Sequence, residues 1–163
     1  MISESQYNDA VKNHARNIFR FVFKNLRDKE ATDDIVQDCY LKLWQNRRNV
    51  DSVKIKSWLF SVGHHAMINY LKAEARKTGL DTLEVNRIST GRAQDPDLKE
   101  LVDKSLQELP PLQRSVILLR DYEGYNYKEI GDILKLSESQ VKVYLFRGRQ
   151  RIKDSIKTLS AVL

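Results

Sequence analysis

Asn126-Tyr127-Lys128-Glu129-Ile130-Gly131-Asp132-Ile133-Leu134 and Ser137-Glu138-Ser139-Gln140-Val141-Lys142 read as two helix starts separated by a tight turn, Lys135-Leu136-Ser137. Asn126 with Glu129 three residues on is close to a capping box, and Ser137 with Gln140 is a second one. The first box opens a short helix, Tyr127 to Leu134, and the second opens a longer helix running at least to Lys153. Two helices joined by such a turn form a helix-turn-helix. Ile130, Leu134, Leu136 and Val141 supply its apolar contacts, and Gly131 is small where the helices must approach. Lys135 occupies a turn position usually given to Gly, at a cost of about 1 kcal/mol if its φ is positive.

In this motif the second helix enters the major groove with its N-terminal side chains on base edges. Here that helix offers Ser139, Gln140, Lys142, Tyr144, Phe146, Arg147, Arg149, Arg151 and Lys153. Arg and Lys bond guanine O6 and N7, Gln bonds adenine, and the cations also neutralise phosphates. Glu138 is the only acid from Ser137 to Lys153. The bland alternative is a solvated basic helix in a bundle. The turn, the two capping boxes and Gly131 together weigh against it.

Upstream, helical periodicity continues through Leu98, Leu101, Val102, Leu106 and Leu109, until Pro110-Pro111 breaks it. Pro suits the first turn of the next helix, which carries Val116 to Leu119 and ends before Glu123-Gly124. Residues 77–96 contain Gly79, Gly91 and Pro96 and show no sustained period, which predicts a flexible linker. Before it, Tyr7, Val11, Ala15, Ile18 and Val22 mark one amphipathic helix, and Asn25 to Lys29 read as a polar break. A second helix is expected to open at Thr32-Asp33-Asp34, with Thr32 as its cap and Ile35, Val36, Cys39, Leu43 and Trp44 as its stripe. A third starts near Ser57 and buries Trp58, Leu59, Val62, Ala66 and Tyr70. The expected fold is all-α: a helical domain over 1–76, a linker over 77–96, and a helix-turn-helix domain over 97–163.

The whole chain has 163 residues, 28 Lys+Arg against 22 Asp+Glu, and a net charge of +6. With 41% hydrophobic and 31% charged residues it is too apolar for a disordered chain. One Cys excludes an intramolecular disulfide framework. No apolar run approaches the roughly 20 residues that span a bilayer. The N-terminus lacks a basic and an apolar segment of secretory type, so the cytoplasm is the expected compartment, without membrane insertion. No Walker loop, nucleophile triad or paired catalytic acid is present, so neither an enzyme nor a cofactor is expected. His64 and His65 are adjacent and cannot form an i, i+4 zinc pair. Cys39 lies on an apolar stripe and reads as a structural thiol.

The net charge divides locally. Asp34, Gln37 and Asp38, with Asp33 beside them, form an acidic strip on the second helix. On the third, His65, Asn69, Lys72 and Arg76 share a face by the helical period. The loop before it adds Arg47, Arg48, Lys54 and Lys56. The acidic strip suits a basic protein partner, and the basic face suits nucleic acid.

Asp33-Asp34-Ile35-Val36-Gln37-Asp38, Leu41-Lys42-Leu43-Trp44, Ser57-Trp58-Leu59-Phe60-Ser61-Val62 and Asn69-Tyr70-Leu71 resemble region two of bacterial sigma factors. Leu109-Pro110, Gln113-Arg114, Tyr127 to Gly131, Gln140 to Lys142 and Arg147-Gly148-Arg149 resemble region four. The pair, with only a linker between, is similar to the extracytoplasmic function (ECF) group. The resemblance implies a promoter-specificity subunit of bacterial RNA polymerase. It implies that Asp34, Gln37, Asp38, Tyr40 and Trp44 dock on the clamp helices of the largest polymerase subunit. It implies that Arg48, Lys54, Lys56, His65, Asn69, Lys72 and Arg76 capture unstacked bases of the minus-ten element. Ser139, Gln140, Lys142, Val143, Phe146, Arg147 and Arg149 would read the minus-thirty-five element as duplex. The β-subunit flap and an anti-sigma factor are further partners implied in this way. The chain departs from the family at Gly63-His64-His65, where Ala-Arg-Asn is common, and at Lys135. Two other classes compete: a stand-alone helix-turn-helix regulator, which would bind intact duplex without polymerase, and a small helical phosphohydrolase, for which the necessary His/Asp set is missing.

Overall fold

The computed structural model describes the backbone of residues 1–79 and 97–162, and side chains through residue 158. Its order is α1 (Glu4–Leu26), α2 (Lys29–Gln45), a 3₁₀ turn (Ser52–Lys54), α3 (Ile55–Lys77), α4 (Leu98–Glu108), α5 (Pro111–Ile117), α6 (Tyr127–Leu134) and α7 (Glu138–Val162). No strand occurs among the described residues. Lys77 closes α3, and residues 80–96 of the expected linker lie outside the described residues.

Helices α1, α2 and α3 pack on one another around Ile18, Phe21, Val22, Cys39, Leu43, Leu59 and Met67, all essentially inaccessible. Ser3 and Gln6 form a full capping box at the start of α1. Arg27 ends that helix at φ 55, donating its N–H to Phe23 O.

The expected break and cap in this region are corrected. Asn25 lies inside α1 and is buried; its amide donates to Phe21 O at 2.9 Å. Helix α2 starts at Lys29, with Asp28 as N-cap accepting from Ala31 N–H at 3.0 Å. Thr32 sits one turn inside, fully buried, its hydroxyl donating to Asp28 O at 2.7 Å. Asp and Thr are both good caps, and the chain uses the earlier one, which carries α2 back almost to α1.

The second unit, α4 to α7, packs around Leu106, Val116, Leu118, Leu119, Ile130 and Val141. Helix α5 continues into a π-helical turn, Leu118–Tyr122. In the turn between α6 and α7, Lys135 adopts φ 58, as its position required. An added Cβ on Gly131 would lie 2.5 Å from Leu136 O, so only glycine permits this tightness.

The two units are not held apart. Helix α1 packs against α4 and α5, and α3 against α6, so both cores join one apolar cluster. Polar contacts frame this junction. Arg114 Nε donates to Asn25 Oδ1 at 2.8 Å, and Gln107 Nε2 to Lys24 O at 2.6 Å. Lys24 pairs with Asp103 at 3.0 Å, and Arg20 with Glu123 at 2.8 Å.

Candidate nucleic-acid interface

The helix-turn-helix is built from its caps outward. Asn126 and Glu129 bond reciprocally at 2.8 and 3.1 Å, and Ser137 and Gln140 at 3.1 and 2.9 Å. Four backbone donors at two helix starts are thereby satisfied by side chains or share in that exchange. Val141 and Leu145 anchor α7 in the core, and Gly148 lets it lie on α5: a Cβ there would come within 3.0 Å of Ile117. The opposite face of α7 is left to solvent. Ser139, Lys142, Val143, Phe146 and Arg147 are all exposed on it, and Phe146 reaches 71%.

Two expected DNA contacts on α7 have other commitments. The side-chain oxygen of Gln140 accepts from Ser137 N–H, which leaves it one lone pair for a base and holds the side chain in the capping geometry. Arg149 forms a two-pronged ion pair with Asp121, which holds its guanidinium charged above the ordinary range. It thus ties α7 to the end of α5. Tyr127, which sequence reasoning did not assign, lies between two cations: Arg120 is 5.0 Å and Lys142 5.7 Å from its ring. With Phe146 and Gln150 it lines a shallow cleft of about 330 Å³ along α7.

On α3, His65, Asn69, Lys72 and Arg76 are all exposed along one face, as the helical period requires. Arg48 and Lys54 are exposed in the preceding loop. Lys56 is half-buried, with its Nζ 5.3 Å over the Tyr125 ring. It faces a second cleft of about 330 Å³, between α1 and the 3₁₀ turn, lined by Gln6, Asp9, His14, Ser52 and Val53. His14 is pushed below its ordinary value by burial and by Lys56.

The strip on α2 is present with one correction. Asp34 and Gln37 are exposed, and Asp38 is half-exposed and paired with Lys42 at 2.9 Å. Tyr40 is 7% exposed, and its hydroxyl donates to Ala10 O at 3.1 Å. It faces α1 and is not a surface contact, because 40 falls a full turn from 36 on the apolar side. Trp44 is at the edge, packed against Tyr7 and covered by the Arg47 guanidinium at 4.2 Å. Leu41 was absent from the expected set, yet is 54% exposed on the same side as Asp34, Gln37 and Asp38. Its spacing of three, four and seven from Asp38, Gln37 and Asp34 was the available signal. Cys39 is fully buried, and burial pushes its thiol up to about 12, as a structural thiol requires.

Residues 10–77 match the family model for sigma-70 region 2, and residues 99–152 match the model for sigma-70 region 4. The chain belongs to the sigma-70 family of sigma factors. The ECF RNA polymerase sigma factor SigM of Bacillus subtilis is 28% identical over 144 residues, spanning 86% of this chain and 88% of that one. The ECF sigma-E factor of Escherichia coli is 27% identical over 144 residues, spanning 77% and 74%. The fold is that of the sigma factor RpoE of Bartonella quintana, solved with the anti-sigma factor NepR: TM-score 0.76 at 20% identity, covering 93% of this chain and 96% of that one. CnrH, solved with the cytosolic domain of CnrY, gives 0.70 at 20% identity, covering 93% and 88%. As an ECF sigma factor the chain directs promoter-specific transcription initiation, which sets aside the stand-alone regulator.

The sigma factor's departure at Gly63-His64-His65 has a structural place. His65 faces solvent, whereas His64 lies at the junction of the two units, its Nδ1 3.2 Å from Ser115 Oγ. Burial pushes His64 down to about 4, so at neutral pH this position carries no charge. Gly63 has only ordinary contacts to Cys39, Ile18 and Val22 around its Cβ position, so alanine fits there equally.

Proposed function

We propose that this ECF sigma factor divides its work between three surfaces. The exposed strip Asp34, Gln37, Asp38 and Leu41, with Trp44 at its end, docks on the clamp helices of core polymerase. The α3 face, His65, Asn69, Lys72 and Arg76, together with Arg48, Lys54 and Lys56, receives the unstacked minus-ten strand. The α7 face, Ser139, Lys142, Val143, Phe146 and Arg147, enters the minus-thirty-five duplex, while the second unit also meets the β-subunit flap. The observation that carries this reading is the bare outer face of α7: basic, capped at its start, and packed closely on its neighbours at Gly131 and Gly148. The protein is a specificity subunit, not an enzyme, and it works in the cytoplasm with the polymerase. No helix among the described residues is long and apolar enough to cross a membrane.

The packed arrangement is the form an anti-sigma factor would hold; superposition on RpoE over 93% of the chain supports this. A compact chain of this length has a radius of gyration of about 15 Å, hence about 40 Å across. Minus ten and minus thirty-five are 25 base pairs apart, about 85 Å along the duplex. The two units therefore part when both elements are engaged.

The test is transcription in vitro with bacterial core polymerase on a genomic promoter pool, with sequencing of the starts. Start sites should share two upstream motifs. A chain with Asp34→Arg and Gln37→Ala should lose core affinity in a pull-down; unchanged affinity would overturn the docking assignment.

A further inference from the structure

Helix α1 carries a cationic surface separate from the α3 and α7 faces. From Ala10 to Arg27 it contains no Asp or Glu, while Lys12, Arg16, Arg20, Lys24 and Arg27 recur at spacings of four and three. By the helical period they fall within about 120° of the circumference. The buried Ile18, Phe21 and Val22 lie on the other side of the helix. Like charges at i, i+4 destabilise a helix. Lys12, Arg16, Arg20 and Lys24 repeat that clash at every turn, so an anionic partner stabilises the stripe. The closed form supplies one at the C-terminal end. Arg20 donates to Glu123 at 2.8 Å, and Asp103 pairs with Lys24 at 3.0 Å and Arg27 at 3.5 Å. The Tyr122 ring lies 5.0 Å from Lys24 Nζ. These groups all belong to the second unit, so the contacts exist only while the two units are together. Lys12 and Arg16 are exposed and continue the stripe toward the start of α1. The seated carboxylates show the charge of the ligand, and the stripe's length sets its extent. Lys12 to Arg27 covers about 22 Å at about 1.5 Å per residue. Duplex DNA carries a phosphate charge about every 1.7 Å of its axis, enough to serve the whole stripe.

We propose that Lys12, Arg16, Arg20, Lys24 and Arg27 of α1 bind the phosphate backbone of duplex DNA without regard to sequence, and that Asp103 and Glu123 are internal competitors for that site. In the closed form the two acids hold Arg20, Lys24 and Arg27, which leaves Lys12 and Arg16 to phosphate. Parting of the units releases the other cations and completes the stripe. The site belongs to none of the three surfaces assigned above and depends on neither promoter element.

The test measures binding of the full chain, without polymerase, to a fluorescent duplex of randomised sequence. Anisotropy titrations between about 50 and 200 mM salt give the slope of log affinity against log salt, to which each phosphate contact contributes about 0.9. Lys12→Gln with Arg16→Gln should flatten that slope by about 1.8, making the loss of affinity over this range about 12-fold smaller. Both side chains are exposed, so the fold is kept. Asp103→Asn with Glu123→Gln replaces the competitors by neutral amides. It should steepen the slope by up to about 2.7, a loss over the same range about 40-fold larger, with tighter binding at low salt. The same two amides in a chain that also carries Arg20→Gln, Lys24→Gln and Arg27→Gln should leave the slope unchanged. An unaltered slope for Lys12→Gln with Arg16→Gln would overturn the inference. A gain from the two amides that persists without the three cations would overturn the competition, since net charge alone then accounts for it. Loss of core polymerase affinity in the Lys12→Gln, Arg16→Gln chain with duplex binding intact would overturn the inference by giving the stripe to a protein partner. Neither polymerase nor a promoter enters the duplex titration, so its failure leaves the promoter reading standing.

Discussion

Lys135 shows a single residue bearing a backbone cost for the motif around it. Its φ of 58 is the left-handed conformation, where a side chain is disfavoured. Lys135→Gly should raise stability by about 1 kcal/mol, read as a higher denaturant midpoint with an unchanged slope. The side chain is exposed, so no packing is lost in return. His64 is sensitive in another way. Its value is lowered from 6.5 to about 4 by burial between Phe21 and Ser115, with His65 adding to the effect. The packed form thus binds fewer protons than the unfolded chain between those values. Its contribution is intact above pH 6.5 and is lost as pH falls toward 4. His64→Gln should reduce the loss of stability between pH 7 and pH 5 by about 2 kcal/mol, measured as the difference in thermal or urea unfolding. An identical pH dependence in the two chains would remove His64 from the junction. This role was not legible from the sequence: His64 sits on a helix whose period places it near the core, but its partner Ser115 is 51 residues away.

Among the elements, the helix-turn-helix was the most legible. Its boundaries follow from local chemistry, since Asn126 and Ser137 cap by bonding three residues ahead. Gly131 gives the element its tightness. Gly131→Ala would place a Cβ 2.5 Å from a backbone oxygen that cannot rotate aside. The expected outcome is a loss of about 1–3 kcal/mol and a displaced α7. Binding to a minus-thirty-five duplex should fall with it, while core polymerase binding through α2 should persist. A variant with full stability and full promoter activity would show that the turn relaxes without cost. Helix α2 was less legible. The local pattern points to Thr32 as the cap, whereas the structure caps the helix with Asp28 and buries Thr32 in the core. Tyr40 is ambiguous for a related reason: an aromatic with a polar tip suits either surface or core, and here it is buried with Ala10 O accepting its hydroxyl.

At the scale of the whole molecule the main feature is the junction between the units. Polar contacts cross it, from Arg114 to Asn25, Gln107 to Lys24, Lys24 to Asp103 and Arg20 to Glu123. It also leaves Tyr125 Oη and Glu123 Oε1 buried without a hydrogen-bond partner, each an unfavourable feature of the closed form. An interface that carries such polar contacts and unpaired buried atoms is suited to parting. Arg20→Ala would strand the Glu123 carboxylate, whose side chain is 1% exposed. Small-angle X-ray scattering of that variant should show a radius of gyration above the compact value of about 15 Å. Circular dichroism should stay helical, which separates opening from unfolding. Adding Glu123→Gln to Arg20→Ala should restore compactness, because the neutral amide costs less to bury. Compact scattering from Arg20→Ala alone would show that the apolar contacts, such as Phe60 on Tyr125 at 5.5 Å, suffice.

The sequence by itself determined the helices, the motif and the charge division. Capping, apolar period and the Gly131 approach act over a few residues, and so they are written in adjacent positions. It placed His65, Asn69, Lys72 and Arg76 on one face for the same reason. Tertiary structure alone decided which polar residues face inward. Asn25 is buried because Arg114, 89 residues away, bonds it, and Tyr40 turns to Ala10 across 30. These pairings depend on how the elements pack, which local patterns do not encode. The closed junction is likewise a tertiary fact: the sequence separates the two helical units by a linker, and complementary surfaces on α1, α3, α4, α5 and α6 bring them together.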